Sequence, residues 1–200
     1  MVHMPQPHFN TIPLDPQRLA TSFSIQTDWY VLTGAACCGK TTLLEGLAEK
    51  GYQTIPESAR AYFEMELAKG RTLEEIRADD AALQRNILAL QKEFESRYNV
   101  AETTFLDRGI PDSLAFFRIF GLDPNEILPE CFNYHYAGVF LLERLPFLRD
   151  QTLGPEDDLA SEFLTEWLSR DYNALGYHVV RVPVLPPQER LAFILDRIHL

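Results

Sequence analysis

The chain is poor in cysteine and has no long apolar run. Only Cys37, Cys38 and Cys131 occur among its 200 residues. An odd count with two adjacent members does not provide a disulfide framework, so the sequence predicts a protein of the reducing cytoplasm. No apolar stretch approaches the roughly 20 residues of a membrane helix, and the proline-rich first residues lack the apolar centre of a secretion signal. We therefore expect neither membrane insertion nor export.

Basic residues are also few. The 18 lysines and arginines face 29 acidic residues, which gives a formal net charge of −11. Nucleic-acid partners require a basic face, so this balance argues against them. Hydrophobic residues make up 46% of the chain and aromatic residues 12%, values typical of a folded globular domain. Composition indicates no oligomeric state.

The hydrophobic pattern divides the chain into an arm and a domain. Residues 1–27 contain four prolines and are expected to form an irregular arm, either docked or partly disordered. Residues 28–200 alternate short apolar runs with helical periodicity, which predicts one three-layer α/β domain with a parallel sheet and helices on both faces. The five expected strands are Trp29–Leu32, Tyr52–Ile55, Thr103–Leu106, Ala137–Leu142 and Tyr177–Val182.

Helix signals occur between these strands. A helix capped by Ser58 should follow the second strand, and a capping box at Thr72 should open one long helix reaching about Tyr98. The charged segment 143–158 contains proline and glycine and is expected to be a mobile lid. The remaining predicted helical segments are Thr41–Lys50, residues 111–121, 124–133, 159–175 and 187–198.

The strongest motif follows the first strand. The nine residues in question are Gly34, Ala35, Ala36, Cys37, Cys38, Gly39, Lys40, Thr41 and Thr42. The first eight match G-x-x-x-x-G-K-[ST], in which glycines let successive backbone N–H groups surround a phosphate. Lys40 would reach the terminal phosphates and Thr41 would ligate Mg²⁺. The pattern, between a strand and a helix, predicts a nucleotide-binding P-loop. Cys37 and Cys38 either fit as small side chains or form a redox switch.

Carboxylates follow two neighbouring strands of the predicted sheet, near the P-loop edge. Asp107 comes after the third strand and could support Mg²⁺. Glu57 comes after the second strand, where it is either a base for an attacking hydroxyl or an acid favoured by a helix start. Asp112 either binds substrate or caps its own helix.

Four arginines accompany these acids. Arg60 and Arg108 are close in sequence to the candidate carboxylates, so each could pair with one or bind an anionic substrate. Arg144 and Arg149 lie in the predicted lid. A closing loop that carries arginine can neutralise charge on a transferring phosphoryl group, although such residues also serve solubility.

Three segments together resemble a known family. They are VLTGAACCGKTTLLEGLAEKGYQTIPESARAYFE, FLDRGIPDSLAFF and GVFLLE. They resemble the bacterial AAA-type ATP-binding proteins with a kinase-like domain, a group related to the nicotinamide riboside kinase domain and to nucleoside and nucleotide kinases. The resemblance implies a P-loop NTPase fold with strand order 2-3-1-4-5, ATP with Mg²⁺, and an acceptor pocket between the Glu57 and Asp107-Arg108 turns. Glu57 matches by position the base of the related small-molecule kinases.

The resemblance covers Trp29 to about Ile198 and leaves the acceptor open. The segment LERLPFLRD matches the kinase lid by position, but its arginines do not align uniquely, so Arg144 and Arg149 are both candidates. We expect transfer of the ATP γ-phosphoryl group to a small nucleoside-, nucleotide- or vitamin-like molecule. The alternatives are an ATP hydrolase or switch that acts through a protein partner, and a nucleotide sensor with negligible turnover.

Overall fold

The computed structural model describes residues 9–145 and 155–198. Its α-helices are α1 (Pro16–Leu19), α2 (Lys40–Glu49), α3 (Ser58–Ala68), α4 (Leu73–Ile76), α5 (Asp80–Ser96), α6 (Asp112–Ile119), α7 (Pro155–Ala174) and α8 (Pro187–Leu195). Its strands are β1 (Ile25–Gln26), β2 (Trp29–Thr33), β3 (Gln53–Ile55), β4 (Thr104–Asp107), β5 (Tyr134–His135), β6 (Gly138–Leu142) and β7 (Val179–Val182). Two 3-10 helices, Pro124–Glu126 and Leu128–Phe132, precede β5.

Five parallel strands form the central sheet in the order β3-β4-β2-β6-β7. Counted along the chain, these five strands have the expected order 2-3-1-4-5. All five residues of the central strand β2 are buried, as its unbroken apolar run predicts for a strand covered on both faces. The predicted α/β class is confirmed.

Alternate residues of β2 enter two separate cores. Trp29 and Val31 pack in a cluster with Leu114 of α6 and Leu168 of α7. Tyr30 and Leu32 pack in a second cluster, whose helical members include Leu47 of α2 and Ile194 of α8. Full burial of one such aliphatic side chain contributes about 1.5–3 kcal/mol. Helices on both faces of the sheet therefore give three layers.

Of the expected arm, residues 9–27 are described, and they dock on the domain with only two short regular elements. This segment contains α1 and β1, and β1 pairs in parallel with β5 to form a second, two-stranded sheet. The fully buried Arg118 explains the docking. Its guanidinium forms an ion pair with Asp171 at 3.0 Å and donates another hydrogen bond to the carbonyl oxygen of Ile12. A buried cation needs every donor satisfied, and the arm supplies one acceptor.

Several helix boundaries differ from the predictions. The capping box at Thr72 is present, but α4 ends at Ile76 and a new helix starts where the Asp79 side chain accepts a hydrogen bond from the amide of Ala82. The N-cap of α3 is Glu57, with no capping bond from a side chain. Helix α7 begins at Pro155, so the last four residues of the predicted lid are helical. Residues 146–154 lie outside the described residues.

Candidate functional site

The P-loop joins β2 to α2 and has the backbone that its glycines predict. Gly34 has φ +142°, and a Cβ there would lie 2.8 Å from the carbonyl oxygen of Leu142. Gly39 is left-handed at φ +86° and is the N-cap of α2 without a capping side chain. The amides of the first turn of α2 are thus left for a ligand, and the positive end of the helix dipole faces the same point.

Lys40 is buried within this loop. Its Nζ donates to the carbonyl oxygens of Gly34 at 3.3 Å and Ala35 at 3.2 Å, and it lies 3.6 Å from Sγ of Cys38. Among the described residues no carboxylate forms an ion pair with it. Two carbonyl oxygens and a thiol sulfur hold this ammonium group, which leaves its charge available to an anion in the cradle.

Asp107 ends β4 directly beside β2, since it is paired in register with Leu32. Its side chain is buried and Oδ1 has no hydrogen-bond partner. Burial raises the pKa of Asp107 to about 6, while the charge of Lys40 opposes the rise. Asp107 and Thr41 line one cavity of about 320 Å³, named here the Thr41 cavity. An orphaned carboxylate oxygen beside a hydroxyl suits Mg²⁺, which takes few protein ligands and completes its shell with phosphate and water.

Arg108 links the two remaining predicted carboxylates. Its backbone is left-handed at φ 74°, an uncommon state for a residue other than glycine. Its Nε donates to Glu57 Oε1 at 3.2 Å and its Nη1 to Asp112 Oδ1 at 3.3 Å. Burial would lower the pKa of Arg108, but the charges of Asp112, Glu57 and Asp107 outweigh it and raise that pKa.

Asp112 is held from several directions. Besides Arg108, it accepts hydrogen bonds from the hydroxyls of Thr33 and Tyr172 and from the amide of Gly109. Both carboxylate oxygens are therefore engaged within the protein. This arrangement fixes the position of Arg108, which suits a supporting role better than direct capture of a ligand.

A second cavity of about 300 Å³ opens on the P-loop at Ala36 and is named here the phenylalanine cavity. Glu57, Arg108 and Asp112 lie in its lining, as do three phenylalanines and two glutamines: Phe63, Phe116, Phe120, Gln84 and Gln91. Phe117 of α6 is fully buried in the core, whereas Phe116 and Phe120 on either side of it are only partly buried and line the cavity.

The third cavity, of about 420 Å³, lies on the other side of the P-loop and is named here the proline cavity. Gly39 and Thr42 form its P-loop side, and the segment 184–187 after β7 forms the facing wall. This is the segment whose position suggests a border for a nucleotide base. The lining is mostly apolar, which suits a flat ring.

Arg190 of α8 also lines the proline cavity, and nothing in the sequence pattern singled it out. Its guanidinium is almost fully buried and donates to the carbonyl oxygens of Cys38 at 2.6 Å, Glu143 at 3.1 Å and Val182 at 3.3 Å. Burial lowers the pKa of Arg190. Among the described residues it has no ion pair within 4.0 Å, so Arg190 is a second cation beside the P-loop that lacks a full counter-charge.

We expect Arg190→Met to raise the Kd for ATP with Mg²⁺ on the order of tenfold, equivalent to about 1.4 kcal/mol. The change removes a nearby positive charge and the anchor of the Cys38 carbonyl, so the P-loop loses part of its preorganised shape. Isothermal titration calorimetry measures the Kd. Arg181→Met, at an exposed position on β7, is the matched control. An unchanged Kd in Arg190→Met contradicts this role.

The buried carboxylate of Glu95 is connected to the turn at Arg108 through Gln91 and Tyr136. Glu95 is fully buried and accepts hydrogen bonds from Gln91 at 2.7 Å and from the hydroxyl of Tyr136 at 2.9 Å. Tyr136 in turn accepts from the amide of Ile110, and Gln91 donates to the carbonyl oxygen of Arg108. Burial raises the pKa of Glu95 to about 7.

Stability should fall with rising pH because of Glu95. The unfolded chain loses this proton near pH 4.5 and the folded chain near pH 7, so the unfolded state binds fewer protons in between. From pH 4.5 to 8 we expect Glu95 to cost the wild type about 3 kcal/mol of unfolding free energy. Urea denaturation of Glu95→Gln, which mimics the neutral acid, should lack that decrease. Parallel pH dependences in the two proteins refute the prediction.

The predicted site residues fall into three groups. The P-loop, Glu57, Asp107, Arg108 and Asp112 surround the Thr41 and phenylalanine cavities. Arg60 also lines the Thr41 cavity, where its exposed guanidinium lies 4.0 Å from Glu57. Arg144 follows β6 next to Leu145, a residue of the proline cavity. Arg149 lies outside the described residues.

The fold and the glycine-containing loop between β2 and α2 define a P-loop protein. A family model described as an AAA domain matches residues 29–190, and the chain belongs to this family. Comparison with curated protein sequences gives no match. None of the helices described here combines the length and the apolar character needed to cross a membrane.

Several solved structures share the fold at low sequence identity. A NadR protein in complex with NR has a TM-score of 0.64 and 16% identity, over 92% of this chain and 53% of that one. Thymidylate kinase from Candida albicans has a TM-score of 0.58 and 16% identity, over 86% of this chain and 91% of that one. Deoxyadenosine kinase from M. mycoides with bound dATP has a TM-score of 0.59 and 16% identity, over 86% of this chain and 100% of that one. The chain thus spans about half the length of the NadR protein. The kinase-like P-loop fold is shown.

Proposed function

We propose that the protein transfers the γ-phosphoryl group of ATP to a hydroxyl group of a small nucleoside-like molecule. One observation carries the proposal: Glu57 lines both the Thr41 cavity and the phenylalanine cavity. A carboxylate that lines both a candidate metal site and the neighbouring pocket is placed to act on an acceptor next to the terminal phosphate. The similarity in fold to nucleoside and nucleotide kinases supports the same reaction class.

The P-loop contributes residues to both the Thr41 cavity and the proline cavity, and a bound nucleotide would extend into both. The amides of residues 34–42 would hold the phosphates, and the base would enter the proline cavity beside Thr42. Thr41 and Asp107 would hold Mg²⁺, which when bound neutralises charge on the β- and γ-phosphates. Lys40 adds a positive charge at the same end of the nucleotide, and its carbonyl contacts set its starting position.

In the transfer step, the acceptor oxygen forms a bond to the γ-phosphorus while its proton passes to Glu57. The bond from the γ-phosphorus to the β–γ bridging oxygen breaks, and ADP leaves with that electron pair. Arg108 holds Glu57 in place through the Nε contact at 3.2 Å. Arg144 and Arg149 remain the proposed lid arginines that would balance charge as the phosphoryl group moves.

The discriminating experiment compares ADP production by the purified protein with and without a pool of nucleosides, nucleotides and vitamins. Acceptor-stimulated ADP together with a phosphorylated product, detected by mass spectrometry, supports transfer. ADP formation that no pool changes supports the alternative of a hydrolase or switch that acts through a protein partner.

The three cysteines are free thiols, as a reducing compartment such as the cytoplasm would require.

A further inference from the structure

The phenylalanine cavity has the lining of a site for a flat ring. Phe63 of α3, Phe116 of α6 and the following Phe120 line the cavity together with Leu83 and Ile87 of α5. Aromatic and aliphatic side chains of this kind bind planar heterocycles by stacking and by removing apolar surface from water. A volume of about 300 Å³ is at the lower end of small-molecule sites. The cavity therefore favours a compact, ring-containing acceptor.

The charges in the lining disfavour a phosphate group on that acceptor. Two arginines line the cavity together with the carboxylates of Glu57, Asp80 and Asp112. Arg108 bonds to Glu57 and Asp112, while Arg77 lies over the Phe63 ring. Three carboxylates against two guanidinium groups leave a net charge of −1. A phosphate entering this cavity would meet a lining whose net charge is negative and whose buried arginine is already paired.

Glu57 at the mouth of the cavity points to the same conclusion. A hydroxyl group must lose a proton during transfer, so a nearby carboxylate assists it. A phosphate monoester is mostly dianionic at neutral pH and has little need of a base. Next to Glu57 and Asp107 it would also suffer like-charge repulsion. The carboxylates that help a hydroxyl acceptor therefore penalise a phosphate acceptor.

Two glutamines on one face of α5 supply polar groups for the edge of a ring. Gln84 and Gln91 are seven residues apart, two helical turns, and both are buried. The amide group of Gln91 donates to Glu95 and to the carbonyl of Arg108, and its Oε1 has no partner. Gln84 makes no hydrogen bond with the described residues. A buried carboxamide oxygen without a partner, as in Gln91, is matched by a ligand that brings a donor, and the Gln84 amide is free to bond to the same ligand.

We propose that the acceptor is a nucleoside-like compound without a phosphate group, whose ring lies between the phenylalanines and whose amide or amino edge is bound by Gln84 and Gln91. The inference rests on the proposed phosphoryl transfer, and it separates two chemistries that similar folds support. A thymidylate kinase and a deoxyadenosine kinase both share this fold. The charges of the phenylalanine cavity favour the second chemistry, in which the acceptor carries no phosphate.

The test presents paired nucleosides and their 5′-monophosphates, with purine, pyrimidine and nicotinamide rings, to the full chain. Binding is measured by thermal shift with a non-hydrolysable ATP analogue, and turnover by ADP release. We expect the best nucleoside to exceed its monophosphate at least tenfold in kcat/KM. Equal or better use of monophosphates overturns the inference and leaves phosphoryl transfer standing. Selective nucleoside binding without ADP release overturns the transfer step alone, and binding of neither series overturns the inference.

Two variants test the residues. Gln84→Leu should raise the acceptor KM about tenfold with kcat nearly unchanged and with an unaltered melting temperature, because it loses no protein hydrogen bond. Asp80→Asn should reduce the preference for nucleosides over monophosphates several-fold, because it removes one of the three negative charges in the lining. Glu74→Gln, an exposed acid of α4 outside the cavity, is the charge-matched control. An unchanged preference in Asp80→Asn together with an unchanged KM in Gln84→Leu refutes the assignment.

Discussion

Replacement of Lys40 by alanine should abolish both the thermal stabilisation by ATP and the phosphoryl transfer. Lys40 Nζ is held in the P-loop by the carbonyls of Gly34 and Ala35 and lacks an ion-pair partner among the described residues. A ligand at about 100 times its Kd stabilises a protein by about 2.7 kcal/mol. For a chain of this size that corresponds to a rise of roughly 5–10 °C in melting temperature. Lys40→Ala should show little or none of this rise.

Turnover should fall with it, on the order of 10²–10³-fold, as when an enzyme loses one group that stabilises charge in the transition state. Differential scanning fluorimetry with and without ATP and Mg²⁺ measures the first effect, and ADP release measures the second. Lys50→Ala alters an exposed lysine at the C-cap of the same helix and should behave as the wild type. If Lys40→Ala still gains the full thermal stabilisation, the P-loop is not the site of ATP binding.

Replacement of Glu57 by glutamine should separate binding from chemistry. The amide keeps the size of the carboxylate and an oxygen for Arg108, so the phenylalanine cavity should keep its shape. It cannot take the proton of an acceptor hydroxyl. We expect kcat to fall on the order of 10²–10⁴-fold, the usual contribution of a positioned base. ATP should still raise the melting temperature, and the acceptor KM should change little.

Rapid-quench measurement of product formation at saturating ATP and acceptor gives the rate of the chemical step. Glu102→Gln removes an exposed carboxylate just before β4 and provides the control for the lost charge. Transfer by Glu57→Gln at the rate of the wild type would show that another group, or no group, accepts the proton. Loss of ATP stabilisation in that variant would instead indicate a structural role.

Much of the site was predictable because its parts are local in sequence or lie at strand ends. The P-loop is continuous from Gly34 to Thr42, and parallel strands bring their carboxyl ends to one edge. Asp107 beside β2 follows from that rule, as the pairing of Asp107 with Leu32 confirms. The chemical roles of Glu57 and Asp107 stay predictions, since contact geometry alone tests neither.

Some of the features that the sequence did not predict depend on distant partners. Arg190 reaches the P-loop from a helix near the other end of the chain, and no periodic pattern marks such a contact. The break between α4 and α5 had a local signal, Asp79 before Asp80, which suits an N-cap followed by an acid in the first turn. The apolar stripe continues from α4 into α5, so the two helices were predicted as one. Gln84 and Gln91 share a helical face, but their burial depends on how α5 packs.

The ion pair of Arg118 with Asp171 bears on how this fold can be shortened. Arg118 lies 4.0 Å over the Trp167 ring, donates to the Ile12 carbonyl, and its own carbonyl accepts from the amide of Asn10. A polypeptide starting at Asp28 would retain every P-loop residue yet uncover a guanidinium group that has a single remaining carboxylate and no backbone cap. The shortest piece of the chain that folds by itself therefore includes residues before Asp28, because that segment completes the hydrogen bonds of Arg118.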